Sequence, residues 1–241
     1  MHGFIYVRGE KLSKSLGNQI DPVGLAGQFG ADALRFYLIH AIPTGRDGEF
    51  TLEQFVEHCN THLANDLGNL ASRTVTMVHK YCGGQVPPDW SPGGLGDGAA
   101  RSALESLFDA VGEAQREVPR GFLELRLNEA LSAAWTPVVR ANELIERVKP
   151  WALAKTPSRR AELATTLGAL LETLRLVAIW AWPVIPGKSE ELWSLLDLPG
   201  KPGQTHGEEA TPRFGDPRLA GRRLGEVRSL FPRIELKAGA A

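Results

Sequence analysis

Two lysines and two serines occur within five residues near the N-terminus, in the string KLSKS at residues 11–15. Taken alone, such a string is most often a solvated surface loop. A mobile loop with two ammonium groups can instead close over a polyphosphate and offset the charge that develops when a phosphate bond breaks. The preceding string HGFIYVRG alternates as a strand does, and Gly17 and Asn18 are typical turn residues. The sequence therefore predicts a strand that ends in a loop able to contact phosphate groups.

A second set of polar side chains recurs every four residues on a predicted long helix. A capping box at residues 51–54 opens a helical run to about residue 82. Asn65, Asn69 and Arg73 share one side of it, which on an ordinary amphipathic helix is a solvated face. No glutamate lies among these three residues, and amide and guanidinium groups can bond base edges or stack on unpaired bases. The opposite, apolar side holds Leu63, Leu67, Leu70, Thr74, Met77 and Tyr81.

Trp151 follows the proline that ends a predicted helix, in the string KPWALAK at residues 149–155. A tryptophan in this place is either a core plug or an exposed platform for base stacking, and the residues alone favour the plug. Four other tryptophans fall among Leu, Ile and Val at helical spacing, which predicts that they lie in the core. These are Trp135, Trp180, Trp182 and Trp193.

The histidines and cysteines do not indicate a metal site. The six histidines show no ligand spacing and have no nucleophile beside them, and Cys59 and Cys82 lack CxxC spacing. We therefore predict no metal, no zinc site and no disulfide in this part, and interpret both cysteines as packing residues.

The overall composition is that of a globular protein with a sizeable core. The chain has 241 residues, of which 43% are hydrophobic, enough for one large or two small domains. Its net charge of -1 and pI of about 6.6 argue against binding nucleic acid by charge alone, so any RNA contact must be local. No run of eighteen apolar residues and no secretion-signal layout occurs, which predicts a cytoplasmic protein without a membrane partner.

Helix and turn signals predict a mainly α fold: a small α/β piece followed by an antiparallel α-helical bundle. Residues 1–48 form the α/β piece, which carries the lysine loop and two short helices after Asp21 and Gly30. Residues 49–198 form the bundle, and residues 199–241 form a C-terminal loop and arm that packs back on the core. The predicted helices beyond the first long run cover about 99–118, 122–148, 159–182 and 189–196, with a break at residues 119–121 and a strand at SLFPRIEL, residues 229–236.

The lysine loop and its flanks, HGFIYVRGEKLSKSLGN, resemble the KMSKS signature of the class I aminoacyl-tRNA synthetases, with Leu12 in place of methionine. The resemblance implies that Lys14 contacts the ATP phosphates in the transition state of amino-acid adenylation, and that Lys11 supports it. The ATP-binding set would be Lys11, Ser13, Lys14 and Ser15, with ATP as substrate and Mg2+ as its metal.

The string NDLGNLASR at residues 65–73, together with GADALRFYL and PTGRDGEF, is similar to methionyl-tRNA synthetases rather than to their sister enzymes. This resemblance implies that the bundle is a class I synthetase anticodon-binding domain. Asn69 and Arg73 would recognise the CAU anticodon of tRNA(Met), Trp151 would stack on an anticodon base, and Asn65 would join them.

The two resemblances together imply the C-terminal part of a methionine–tRNA ligase, which attaches methionine to tRNA through methionyl-adenylate. No HIGH string, glycine-rich strand-to-helix turn, zinc-binding insertion or appended oligomerisation domain occurs in these residues, so we expect this chain to be inactive alone. Two alternatives stay open: a stand-alone, non-catalytic tRNA-binding module, and part of a sister valyl, isoleucyl or leucyl enzyme. The intact KLSKS favours the fragment.

Overall fold

A computed structural model describes residues 3–7, 9–11, 20–95, 98–204 and 218–236. For residues 10, 11 and 92 it describes only the backbone. The strands in this part are β1 (Ile5–Val7), β2 (Glu10–Lys11) and β3 (Gly48–Glu49). They form one small sheet in the order β2-β1-β3, in which β1 pairs antiparallel with β2 and parallel with β3. The predicted strand ahead of the lysine loop is therefore confirmed.

Two short helices lie between β2 and β3: α1 (Pro22–Phe29) and α2 (Ala31–His40). Asp21 caps α1 as predicted, since its side chain accepts a hydrogen bond from the Val23 backbone N–H at 3.0 Å. Gly30 separates the two helices with a φ of 91°, a backbone conformation that strains any residue with a side chain.

The second short helix is anchored to the chain near residue 185. Arg35 Nε donates to Val184 O at 2.7 Å, and its Nη2 donates to Pro183 O at 2.8 Å. Asp32 Oδ2 accepts from the Lys188 backbone N–H at 2.7 Å. These bonds join the N-terminal piece to the helices that follow it.

The long helical run predicted from residue 51 is continuous, but its middle is wider than an α-helix. The chain forms α3 (Leu52–His58), then a π-helix (Cys59–Gly68), then α4 (Asn69–Cys82). At the end of the π-helix the Asn69 N–H reaches back five residues to Ala64 O. The prediction of one uniform α-helix is therefore wrong for these 10 residues.

Gly68 ends the π-helix at a position where a side chain would be crowded. A Cβ atom there would lie 3.0 Å from Leu63 O, the carbonyl five residues back, and 3.7 Å from Phe231 Cβ. The close carbonyl explains glycine at this position, although glycine costs about 1 kcal/mol relative to alanine inside a helix.

The remaining helices complete the bundle that begins with the helical run of residues 52–82. α5 and α6 pack along each other, and α8 is buried along nearly its whole length. Their bounds are α5 (Ala99–Leu123), α6 (Leu127–Val148), α7 (Pro150–Leu153), α8 (Arg160–Ala181) and α9 (Pro186–Leu195).

The helix break predicted at residues 119–121 does not occur. α5 continues through Pro119 and ends at Leu123, so α6 begins at Leu127 and not at residue 122. Gly121 has a packing role instead: a Cβ atom there would lie 2.7 Å from Ala130 Cβ. Glycine thus allows α5 to approach α6 closely.

The stretch Pro157–Ala181, which includes α8, is long and apolar enough to cross a membrane. A window of 18 residues within it has a mean hydropathy of 1.4. Of that window, 94% is buried inside the protein, as in the core helix of a bundle.

Trp135, Trp180 and Trp193 are buried as predicted, whereas Trp182 is half-buried.

Residues 218–236 pack back along the helices without forming a strand, so the predicted strand SLFPRIEL is wrong. A side-chain amide takes the place of a neighbouring strand. Asn60 Nδ2 donates to Ile234 O at 2.9 Å, and Asn60 Oδ1 accepts from the Ile234 N–H at 2.8 Å. Pro232, two residues earlier, has no N–H to offer a ladder.

A buried ion pair within α8 generates a stability prediction. Arg175 Nε and Nη2 donate to the Glu172 carboxylate at 2.8 and 2.7 Å, and both side chains are 1% exposed. Glu172→Ala removes this carboxylate from a buried guanidinium, and we expect the free energy of unfolding in urea to fall by about 3–5 kcal/mol. The control Glu105→Ala breaks an exposed pair with Arg101 and should change little. Equal small losses from both would contradict the prediction.

Candidate nucleic-acid interface

The polar ridge on the helical run faces a shallow groove between that run and α6. Asn65 and Asn69 are exposed, and the Arg73 side chain is 30% exposed. All three line the groove, together with Asp66. The structure therefore brings the three ridge residues predicted from sequence onto one surface. The opposite wall, from α6, consists of Val139, Asn142, Glu143, Glu146 and Arg147.

Two side chains of α6 hold the wall formed by the π-helix through its carbonyl oxygens. Asn142 Nδ2 donates to Asp66 O at 3.1 Å, and Trp135 Nε1 donates to His62 O at 3.2 Å. Asn142 Nδ2 also lies 3.1 Å from Val138 O within its own helix. Its Oδ1 is buried and has no hydrogen-bond partner within the described residues. Asn142 is thus both a support of the groove and a buried acceptor beside it.

An ion pair spans the groove. Arg73 Nη2 lies 2.7 Å from Glu146 Oε1, with the two side chains 30% and 63% exposed. An ion pair this exposed contributes little net stability, so a ligand can replace the carboxylate at low cost. Glu143 pairs with Arg140 at 2.8 Å along α6. The groove is therefore lined by both signs of charge and by neutral amides.

The α6 wall was not predicted, although its spacing carries a signal. Val139, Asn142, Glu143 and Glu146 stand at positions i, i+3, i+4 and i+7, which share one face of an α-helix. Nothing in their residue types distinguishes this face from an ordinary solvated one. Only the packing of α6 against the π-helix shows that the face borders the ridge.

Trp151 lies on the surface. The side chain is 37% exposed, so the indole is not the core plug that the residues alone favoured. α6 ends at Val148. Its cap residue Lys149, with a φ of 52°, turns the chain into α7, and Pro150 begins that short helix. The tryptophan is not among the described residues that line the groove, and follows the last of them, Arg147, by four positions.

The lysine loop falls almost wholly outside the described residues. Lys11 is described by its backbone, which pairs with Tyr6 across the β1–β2 ladder. The other predicted ATP-binding residues, Ser13, Lys14 and Ser15, lie outside the described part. Their roles stay predictions.

Three histidines that appeared unrelated in the sequence lie together. One ring nitrogen from each of His40, His58 and His62 lies within 4.8 Å of the other two. His58 and His62 are four residues apart on one helical run, which is a ligand spacing, so the statement that the histidines show none needs correction. Burial, with repulsion from the neighbouring imidazoles, lowers the pKa of His40 to about 3 and that of His58 to about 4.

The two cysteines match their interpretation as packing residues. Cys59 is 2% exposed and Cys82 is half-buried, and both are free thiols. Burial raises the pKa of Cys59 to about 12 and also raises that of Cys82. Neither thiol is therefore ionised near neutral pH.

Comparison with known proteins agrees with both sequence resemblances. The family described as "tRNA synthetases class I (M)" matches residues 1–75. The chain is 36% identical to a methionine–tRNA ligase of Clostridium acetobutylicum over 98% of its own length, and 35% identical to that of Bacillus subtilis over 97%. The homologues of this chain are methionyl-tRNA synthetases. It spans about a third of the length of these curated relatives, 34% in both cases.

The fold agrees as well. A Mycobacterium tuberculosis methionyl-tRNA synthetase, solved in complex with methionyl-adenylate, superposes with a TM-score of 0.81 at 34% identity. The superposition covers 96% of this chain and 43% of that one. The predicted resemblance to methionyl-tRNA synthetases and the mainly α fold class are confirmed.

A stability measurement should distinguish Asn142, which supports the groove, from Asn69, which is exposed on its surface. Asn142→Ala removes the side-chain donor that joins α6 to Asp66 O, and we expect the free energy of unfolding to fall by about 1 kcal/mol in urea titration. Asn69→Ala is the matched control, because Asn69 is exposed on the same groove and should leave unfolding unchanged. A larger loss from Asn69→Ala would contradict the assignment of Asn142 as the supporting residue.

Proposed function

We propose that this chain is part of a methionine–tRNA ligase, in which the bundle binds the CAU anticodon stem-loop of tRNA(Met) and the lysine loop acts on ATP. The supporting observation is that the ridge of Asn65, Asn69 and Arg73 faces one groove, in a chain 36% identical over 98% of its length to a methionine–tRNA ligase. ATP with Mg2+, methionine and tRNA are the proposed substrates, and the cytoplasm is the proposed compartment.

The groove suits unpaired bases better than a phosphate backbone. The amides of Asn65 and Asn69 each offer a donor and an acceptor, which can match the Watson–Crick edge of a base. Glu143 and Glu146 on the opposite wall repel phosphate oxygens, so the backbone of a bound loop would run outside the groove. A chain with a net charge of -1 can recognise RNA in this way, because the contacts are local and made to base edges.

Arg73 would exchange one partner for another on binding. In the free chain its guanidinium is held by Glu146 at 2.7 Å, which keeps the arginine extended across the groove. An incoming base that displaces the exposed carboxylate would find the guanidinium already placed for hydrogen bonds or stacking. The pair thus orders the arginine before RNA arrives.

Trp151 would supply a stacking surface outside the groove. The exposed indole, which follows the proline that begins α7, leaves apolar area in contact with water, and base stacking would bury that area. Trp151 follows Arg147, the last described residue of the groove, by four positions in the chain.

The bundle's proposed role predicts specific losses in binding. Fluorescence anisotropy with a labelled CAU stem-loop should show that Trp151→Ala weakens binding by about 1–3 kcal/mol, because one stacked base is lost. Asn69→Ala and Arg73→Ala should weaken it and reduce the preference for CAU over a scrambled anticodon and over a valine or isoleucine anticodon.

Arg101→Ala is the matched control for Arg73→Ala. Arg101 is an arginine that also pairs with a glutamate, Glu105 at 3.0 Å, but it lies on α5 outside the groove. Its removal should leave the affinity unchanged. Equal affinity of the unaltered chain for CAU and scrambled stem-loops would refute anticodon recognition while leaving the family assignment intact.

The lysine loop's proposed role is tested in a chimaera. This chain replaces the matching stretch of the Mycobacterium tuberculosis methionyl-tRNA synthetase, and methionine-dependent ATP–pyrophosphate exchange is measured. Lys14→Ala should lower kcat on the order of 100-fold or more with little change in the KM for methionine, because the ammonium group is proposed to act in the transition state.

Lys80→Ala, a lysine of α4 outside the loop, is the control and should leave exchange unchanged. Full activity of the Lys14→Ala chimaera would count against the role of this lysine. A chimaera that binds the CAU stem-loop but shows no exchange would favour the alternative of a binding module without catalysis.

A further inference from the structure

Three imidazoles converge where α2, the helical run and α6 meet. His40 is the last residue of α2, His58 ends α3, and His62 lies one turn further in the π-helix. His40 Nδ1 and His58 Nε2 are 2.9 Å apart, and one nitrogen from each of the three rings lies within 4.8 Å of the others. All three rings are half-buried.

The outward nitrogens of two rings already have partners. His62 Nδ1 lies 3.1 Å from Asp66 Oδ2, which leaves its Nε2 as the nitrogen available to the cluster. His40 Nε2 lies 3.5 Å from Ser132 Oγ on α6, which leaves its Nδ1 facing His58. A carboxylate or hydroxyl on the far nitrogen is the arrangement that orients histidines as metal ligands and raises their basicity.

His40 Nδ1 and His58 Nε2, which are 2.9 Å apart, share one hydrogen bond, so one of these two nitrogens carries a proton. A bound ion would displace that proton, as metal binding to histidine does in general. Neutral imidazole is a preferred ligand of Zn2+, Cu2+ and Ni2+. Two nitrogens 2.9 Å apart need to separate only to roughly 3.4 Å to share a tetrahedral zinc at its usual bond lengths.

The cluster also has a path to solvent. A depression lined by Glu49, Glu57, Thr61 and Gln54 opens onto His58 and His62. Carboxylates at the mouth of such an opening attract cations and leave room for water as a fourth ligand.

We propose that His40, His58 and His62 form a binding site for one divalent transition-metal ion of the zinc class. The ion would join the end of α2 to the π-helix, which belong to the N-terminal piece and to the bundle respectively. It would also fix Asp66, a groove residue, through the His62–Asp66 pair. The site is independent of the proposed RNA binding and is tested without RNA.

The test is metal binding by the full chain prepared without a histidine tag. Isothermal titration with Zn2+ should give one ion per chain, and Co2+ in its place should give the strong visible absorption of a tetrahedral site. Zn2+ should also raise the Tm of the unaltered chain. His58→Ala and His62→Ala should each weaken binding by at least about 100-fold, and Asp66→Asn should weaken it by about 10–100-fold.

His79→Ala is the matched control, because His79 is an exposed histidine of α4 outside the cluster. This variant should bind zinc with the same affinity as the unaltered chain. Circular dichroism verifies that each variant is folded. An unaltered chain that binds no zinc, or that binds Co2+ without the tetrahedral spectrum, would overturn the proposal whatever the variants do. Binding that survives in folded His58→Ala and His62→Ala would overturn it as well.

Discussion

The groove depends on the hydrogen bonds that side chains of α6 donate to the π-helix. A π turn is rarer and less favourable than an α turn, and ten consecutive residues of it call for support from outside. Trp135 and Asn142 provide that support, because each donates a side-chain N–H to a π-helix carbonyl, at His62 and at Asp66. The same two bonds fix the distance between the walls, so the widened helix and the groove are one structural feature.

The π-helix is also where the distant parts of the chain meet. Phe36 of α2 is fully buried, and its ring lies 4.6 Å from that of Trp135, so α2 packs on the very side chain that holds the π-helix. From the C-terminal side, Asn60 binds Ile234 through both backbone groups, and Phe231 lies over Gly68. Packing on one ten-residue segment thus positions the N-terminal piece, α6 and the arm relative to one another.

Much of this arrangement follows from local signals in the sequence, and the exceptions have physical causes. The cap at Asp21, the strand before the lysine loop and the apolar side of the helical run are set by neighbouring residues, so they could be predicted. The continuation of α5 through Pro119 could not, because Pro119 and Gly121 are local signals for a break, and the close approach of Gly121 to Ala130 exists only once α5 packs on α6. The π-helix, the α6 wall and the histidine cluster depend on contacts between elements far apart in the chain, which no single segment encodes.

The ridge residues were predictable in spite of the π-helix because the apolar positions on both sides of it remain in phase. Leu63 and Leu67 within the wide turns, and Leu70 after them, are all at most 1% exposed. The polar residues opposite them are therefore carried to the solvent side whether the turn is α or π. What the π turns add is the crowding at Gly68 and carbonyls that α6 can reach. The surface used by the ridge is thus set by hydrophobic burial, and the shape of its groove by hydrogen bonds from α6 to the π-helix.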